Sequence, residues 1–349
     1  MNGHDRESDT SGSGIVRQVD DLEVQHCDCL WRVLQPDHGG SPGISQEFPG
    51  FVVRRRGTVL AAAGCCREPD QTLSVTIPLL TPAADWREQF ELATALFSEM
   101  IPYARQLKLR TIHCLVPSDA TACSALSGQV KAAALLQHCG LVWMATIVRQ
   151  TRLLAEAEFA TSGPKNFHGT PLTSSRTQPE VVLARDKTSG SVHELLETVL
   201  RDSLDLPASI RPSAEQLLAM WMQRGAEVMV FSREERPIAI AALLGQVNQD
   251  EASLEYIGVH PEHRLAGIGR GILRLAEQAV MESAAARGRT GACFLNAFAD
   301  AANRPAMRLY AACGYAEAER LQLYCLPLFA EPGVACVRDD CRTQFPSTG

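Results

Sequence analysis

The sequence predicts an α/β protein composed of two similar modules. Short apolar runs of strand length alternate along the chain with amphipathic helical patterns. The order of these runs in the first half is repeated in the second half, which indicates two copies of one unit. With 349 residues, 46% of them hydrophobic, the chain is long enough to bury two cores.

A segment without periodicity separates the two modules. Residues 155–180 are rich in Ser, Thr, Gly and Pro, a composition typical of linkers. We therefore predict a disordered N-terminus at 1–14, a first module at 15–155, a linker at 156–179, a second module at 180–328 and a C-terminal tail at 329–349.

The first module begins with strands and continues with a long helix. Because proline removes a backbone donor from a helix interior, we expect the long helix to be interrupted at Pro102. In chain order we predict a hairpin at 51–64, a strand at 72–80, a helix at 86–107, a strand at 110–116, and a helix end and a strand within 133–143.

The second module repeats that order. We predict strands within 227–245, a strand at 254–259, a helix at 267–287, a strand at 291–298 and a helix that ends at Gly314. The last helix is well delimited, because Pro305 suits a first turn and Gly314 suits the residue just past a helix end.

Composition and charge exclude several classes of protein. The net charge of -7 and the pI near 5.8 give no electrostatic footprint for nucleic acid. No apolar stretch approaches the about 20 residues of a membrane span, and the first residues lack the apolar core of a signal peptide. We therefore expect a cytoplasmic protein without nucleic-acid or membrane partners, and a homodimer stays open.

The 12 cysteines do not indicate a disulfide scaffold or a metal site. Most lie inside apolar runs, where cysteine acts as a small buried hydrophobe. Cys27-x-Cys29 beside His26 has no second ligand pair at zinc spacing, so no metal is expected.

A glycine-rich loop between a strand and a helix is the most informative motif. It reads Arg264-x-x-Gly267-x-Gly269. Glycine lets a ligand approach the backbone, and the first N–H groups of a helix have no partner within the helix. The motif therefore favours an anion such as a phosphate.

Two other kinds of phosphate site fit this loop poorly. A nucleotide P-loop needs Lys and then Ser or Thr after the second glycine, where Arg270-Gly271 stands here. A dinucleotide fingerprint needs a third glycine, and that position is Ile272.

The loop closely resembles the pyrophosphate loop of the GNAT superfamily of acyl-CoA N-acyltransferases. Residues 303–315 resemble the family's next helix, with Asn303, Tyr310, Gly314 and Tyr315 at the expected intervals. The resemblance covers about residues 181–328 through motifs, and residues 15–154 only through the order of elements. It implies that each module is a mixed, mostly antiparallel twisted sheet flanked by helices.

The first module is similar to a degenerate copy of the second. When Gly140 is set against Gly314, Leu136 falls where the second module has Tyr310. Residues 81–86 contain no glycine where the second module has its glycine loop. We expect this module not to wrap a pyrophosphate.

The resemblance implies an acetyltransferase that moves an acetyl group from acetyl-CoA, as co-substrate, to a primary amine of a small molecule or peptide by direct attack in a ternary complex. The main chain of Ile257, Gly258 and Val259 would pair with the pantetheine arm, to which Asn303 would hydrogen-bond. The pyrophosphate would bind the amides of Leu265, Ala266, Gly267, Ile268, Gly269 and Arg270.

Tyr310 is the predicted general acid that protonates the departing thiolate. The ordinary alternative is a core tyrosine that packs its ring and leaves its hydroxyl at the edge. Neither interpretation is decided by the sequence.

Glu255 is the first candidate for the base that takes the proton of the amine. Strand alternation places it on the face opposite Leu254 and Tyr256, where it is either catalytic or a paired structural carboxylate. Asp300 is the second candidate, although an Asp near a helix start usually acts as a cap. His260 and His263 fit a solvated loop better than a proton relay.

The resemblance implies that acceptor choice depends on residues 191–222, because in the family this region covers the acceptor site. Asp202 and Asp205 in this segment either favour a cationic amine or only solvate a helix end. Some peptide N-terminal acetyltransferases of the superfamily carry a base near the position of Ala297 and Phe298. No carboxylate stands there in this sequence, so the resemblance does not favour acetylation of protein N-termini. A non-catalytic acyl-CoA-binding or regulatory protein is the alternative function, and a scaffold that binds no CoA is a third.

Overall fold

A computed structural model of the chain forms two compact units. The first comprises Met1–Trp143 and Leu323–Leu328, and the second comprises Met144–Gln322 and Phe329–Gly349. The structure describes residues 17–19, 21–27, 49–68, 70–81, 84–118, 132–155, 180–183, 190–205, 211–233, 236–245, 251–288 and 292–329. The predicted disordered N-terminus, the linker and all but the first residue of the predicted tail lie outside these ranges.

The first unit is a mixed sheet that packs on one long helix. Its elements are β1 (Arg17–Val19), β2 (Leu22–Cys27), β3 (Gly50–Arg55), β4 (Thr58–Arg67), β5 (Thr72–Val75), β6 (Leu79–Leu80), α1 (Trp86–Gln106), β7 (Thr111–Pro117) and α2 (Ala132–His138). The strand order is β1-β2-β3-β4-β5-β7, with β6 paired to β4. The β5–β7 pair is parallel, and the other pairs of this unit are antiparallel.

Helix α1 runs through Pro102 without a break, so the predicted interruption was wrong. A proline inside a helix costs about 3 kcal/mol. The apolar face of α1 offsets this cost, because Leu96, Met100 and Ala104 are fully buried in the core of the unit. Packing therefore outweighs the local preference of one residue.

The second unit is a mixed sheet with helices on both faces. Its strands are β8 (Val142–Leu154, from Met144 onward), β9 (Glu180–Leu183), β10 (Glu227–Arg233), β11 (Arg236–Gly245), β12 (Glu251–Val259), β13 (Cys293–Asp300) and β14 (Ala316–Pro327, to Gln322). Its helices are α3 (Gly190–Arg201), α4 (Ala214–Gln223), α5 (Ile268–Ala286) and α6 (Arg304–Ala312). The strand order is β8-β13-β12-β11-β10-β9, in which the β12–β13 pair is parallel.

Alternate residues of the central strands enter two different cores. Met229 and Phe231 pack under α5 and α6, whereas Val228 and Val230 pack under α3 and α4. This two-residue period is what a sheet covered on both faces requires. Together with the strand pairings, it confirms the predicted fold class.

The two units repeat one topology. In the first unit α1 joins the parallel strands β5 and β7, and in the second α5 joins the parallel strands β12 and β13. The last strand of each copy does not follow the predicted module limits, because residues 144–154 group with the second unit and residues 323–328 with the first. Within the described residues, no helix is long and apolar enough to cross a bilayer.

A buried ion pair ties β8 to α5 in the second unit. The Arg152 guanidinium donates to both carboxylate oxygens of Glu277 at 2.9 Å and to the carbonyl of Cys313 at 2.8 Å. The Glu277 side chain is only 3% exposed. This pair connects a strand, a helix and the end of α6.

Candidate active site

A cavity of about 270 Å³ lies where β12 and β13 stop pairing. The parallel pairing covers Glu251–Leu254 and Phe294–Ala297. Beyond this point β11 is the one partner of β12 among the described strands, and the cavity is lined by residues 254–257 of one strand and 298–300 of the other. Backbone groups on one edge of β12 are thus left without a strand partner.

A β-bulge places Glu255 beside this cavity. Leu243 pairs with Leu254 and Ala242 pairs with Tyr256, so Glu255 is the extra residue. Leu254 packs under α5 and α6, whereas Tyr256 packs on the opposite face with Trp221. The predicted alternation, with Leu254 and Tyr256 on one face, was wrong because the bulge shifts the two-residue period.

The Glu255 carboxylate lines the cavity and is engaged by a cation. Its Oε2 accepts a hydrogen bond of 2.6 Å from Arg224, which follows the end of α4. The side chain is 14% exposed. Glu255 is therefore a paired carboxylate that also lines the cavity, and its role as a base stays a prediction.

The glycine loop presents bare backbone at the start of α5. Gly267 precedes the helix with φ of 78° in the left-handed region, and no side chain in the described part of the chain caps this helix end. The first intrahelical bond runs from Gly271 N to the Gly267 carbonyl, at 3.1 Å. The amides of Ile268, Gly269 and Arg270 are therefore donors without a partner inside the helix, which suits an anion.

The corresponding helix start in the first unit is capped by an aspartate side chain. The Asp85 carboxylate accepts from the amide of Glu88 at 2.9 Å and caps α1. Leu136, at the position that matches Tyr310, is fully buried in the first core. Helix α1 thus begins with a side-chain cap, which α5 lacks among the described residues, and residues 82 and 83 of the preceding loop lie outside the described residues.

Helix α6 brings Asn303 and Tyr310 to the same cavity. The Asn303 side-chain oxygen accepts from the amide of Ala306 at 3.1 Å and caps the helix, while its Nδ2 donates to the Asp205 carboxylate at 2.6 Å. Tyr310 is 3% exposed. Burial, and second the charge of Asp205, raise the pKa of its hydroxyl above the usual 10.

The segment predicted to govern acceptor choice supplies a wall of the cavity, because its lining residues Leu200, Ser203, Asp205, Arg211, Pro212 and Leu217 all lie within 191–222. Arg211 donates to the carbonyls of Leu200 at 2.6 Å and Ser203 at 2.7 Å, and so holds the end of α3 in place. Asp205 is the individual residue of this wall that the sequence pointed to. Arg211 belongs to no motif, and no sequence signal marks it.

The other predicted residues have structural partners. Asp300 accepts from the amide of Ala302 at 2.8 Å and lines the cavity, but the cap of α6 is Asn303, so the expected capping role of Asp300 was wrong. Asp202 pairs with Arg264 and is not among the cavity-lining residues. His260 and His263 lie in the loop between β12 and α5, with their ring centroids 5.7 Å apart.

Gly258 allows close packing next to the predicted cofactor strand. A Cβ at this position would lie 2.4 Å from Val199 Cγ1. We expect Gly258→Ala to lower the free energy of unfolding by about 1–3 kcal/mol, because the core has no room for the methyl group. Urea denaturation checks this. Gly245→Ala is the control, since the nearest atom there is 4.0 Å away, and equal costs for both variants would contradict the packing explanation.

Comparison with known proteins finds one family model and several solved structures that are similar to this chain. Residues 194–315 match the model of the Acetyltransferase (GNAT) family. A solved GCN5-related N-acetyltransferase from Sphaerobacter thermophilus is similar with a TM-score of 0.50 and 17% identity, over 80% of this chain and 81% of that one. A tandem GNAT protein from the clavulanic acid biosynthesis pathway is similar with a TM-score of 0.48 and 17% identity, over 81% of this chain and 83% of that one. No curated protein matches the sequence.

Proposed function

We propose that this chain, whose residues 194–315 belong to the GNAT acetyltransferase family, transfers an acetyl group from acetyl-CoA to a primary amine. One observation carries the proposal. The unpaired edge of β12 borders a cavity that contains a buried tyrosine, and one short loop leads from the end of β12 to the uncapped start of α5. Together they provide an anion site, a strand edge and a proton donor.

The backbone is proposed to hold the CoA. The amides from Leu265 to Arg270 bind the pyrophosphate, and the exposed Arg270 side chain adds positive charge. The main chain of Ile257, Gly258 and Val259 pairs with the pantetheine arm as an added strand would. Asn303 Nδ2 carries two hydrogens, so one is left for the arm when the other is donated to Asp205.

The proposed reaction is direct attack of the amine on the thioester. The amine nitrogen forms a bond to the carbonyl carbon, and the carbon–sulfur bond breaks. Glu255 takes the proton that the nitrogen loses, and Tyr310 gives a proton to the leaving thiolate, so the products are an amide and CoA. The low exposure of Tyr310 keeps the donor protonated beside the thiolate.

A second function is favoured by the ion pair at Glu255. Because Arg224 already binds this carboxylate, a protein that holds acyl-CoA without turnover is the alternative. Release of free CoA thiol in the presence of amines separates the two functions. Thiol release that depends on the amine supports transfer, and tight acetyl-CoA binding without any release supports the alternative.

Substitution of Gly267 tests the anion site. We expect Gly267→Trp to weaken CoA binding at least about tenfold, measured by calorimetry, because an indole replaces open backbone beside the amides. Gly288→Trp is a matched control. Gly288, just past the other end of α5, also has positive φ and open space where a Cβ would lie. Unchanged CoA affinity in Gly267→Trp would refute the proposed pyrophosphate site.

A further inference from the structure

The charged side chains that line the cavity are mostly acidic. Three carboxylates, Asp205, Glu255 and Asp300, contribute to its walls, against one guanidinium, that of Arg211. Apolar side chains such as Phe298 fill much of the rest. A cavity with this balance favours a cation with an alkyl portion and disfavours an anion.

The three carboxylates differ in whether a positively charged group compensates them. Glu255 is compensated by Arg224. Asp300 accepts from a backbone amide and is only 2% exposed. Asp205 is half-buried and accepts from Asn303 and from the serine hydroxyl two residues before it. Both donors are neutral, so neither compensates a negative charge on the Asp205 carboxylate. Its oxygens can also accept further hydrogen bonds.

The guanidinium of Arg211 is engaged by backbone carbonyls at the end of α3. It donates hydrogen bonds to the carbonyls of Leu200, Arg201 and Ser203. These bonds fix the segment that carries Asp205. Arg211 therefore positions the acidic wall.

An independent observation indicates that a polar ligand enters the same space. Tyr310 is only 3% exposed, and it lines the cavity. Among the described residues, its hydroxyl has no hydrogen-bond partner. A polar group on so buried a side chain normally has a partner, so this hydroxyl is available to a polar ligand that enters the cavity.

We infer that the acceptor is a small alkyl amine with a second positive charge, and that Asp205 binds this second charge. The inference rests on the proposed function. One amine loses its proton and is acetylated, while the other remains an ammonium ion and donates to the Asp205 carboxylate. A volume of about 270 Å³ admits a short diamine and excludes a folded partner.

Amines of equal chain length test this inference. Calorimetry with the CoA-saturated protein compares 1,4-diaminobutane, butylamine and 4-aminobutanoate, which differ in one end group. We expect the diamine to bind at least about tenfold more tightly than butylamine, and 4-aminobutanoate to bind most weakly. Equal affinities for the diamine and butylamine, or a preference for 4-aminobutanoate, would overturn the inference.

A conservative variant locates the charge. Asp205→Asn keeps an acceptor oxygen for Asn303 and removes the negative charge. The ratio of the affinity for 1,4-diaminobutane to that for butylamine should therefore fall to about one. Glu215→Gln, on the exposed side of α4, should keep the preference. A preference that survives in Asp205→Asn overturns the assignment to Asp205.

The test separates this inference from the proposed function. CoA binding is measured first, and its failure counts against the acetyltransferase alone. The amines are then titrated into the free protein, where the same diamine preference and its loss in Asp205→Asn still decide the inference. CoA binding with no diamine preference overturns only the acceptor class.

Discussion

Replacing Tyr310 with Phe will lower kcat by about 100-fold or more and leave the CoA dissociation constant nearly unchanged. The substitution removes only the hydroxyl, which has no hydrogen-bond partner among the described residues and lines the cavity. The ring keeps its packing in the second core. Steady-state kinetics and calorimetry measure the two constants separately.

A neighbouring tyrosine provides the control. Tyr315 lies with its ring centroid 5.5 Å from that of Tyr310 and is also buried, but it does not belong to the cavity lining. Tyr315→Phe should therefore retain most of kcat. If Tyr310→Phe also retains full kcat, Tyr310 is a packing residue and another group protonates the thiolate.

The pH dependence of kcat follows from the same residue. Burial raises the pKa of Tyr310 above 10, so the hydroxyl keeps its proton through neutral and mildly alkaline pH. We expect no loss of kcat from deprotonation of Tyr310 below about pH 10. A fall in kcat near pH 8 that disappears in Tyr310→Phe would contradict this.

Removing the Glu277 carboxylate will destabilise the second unit by about 3 kcal/mol or more. Glu277→Leu leaves the Arg152 guanidinium without its bidentate partner in a mostly buried position. The cost arises because a charge removed from water has lost its compensating charge. The free energy of unfolding from urea titration measures it.

Two further variants show whether charge is the cause. Arg152→Met combined with Glu277→Leu should recover at least half of the loss, since no unpaired charge is left. Glu319→Gln is the exposed counterpart, because Glu319 pairs with Arg149 at 3.3 Å with both side chains about one-third exposed. It should cost less than about 1 kcal/mol. A double variant as unstable as Glu277→Leu would point to packing instead.

Local patterns predicted part of the backbone geometry of the candidate site. Glycine at 267 and the helical period after it predicted an exposed backbone loop at a helix start, and the structure has both. Asn303 and Tyr310 are seven residues apart, nearly two helical turns, and both line one cavity. These features depend on backbone geometry and on period, which short segments of sequence encode.

Other features depend on contacts between distant segments. The bulge at Glu255 arises from its register with β11, and no pattern within 254–259 marks it. Asp205 meets Asn303 across 98 positions of the chain. A predicted role for either residue required the fold that brings these segments together.

The sequence by itself determined the order of the elements, the glycine loop and the polar face of α6, because each follows from the residues of one continuous segment. Only the tertiary structure decided that α1 continues through Pro102, that Glu255 lines the cavity with Arg224 beside it, and that residues 147–154 pair with β13. In each of these cases, burial or pairing with a distant segment outweighs the local preference of the chain.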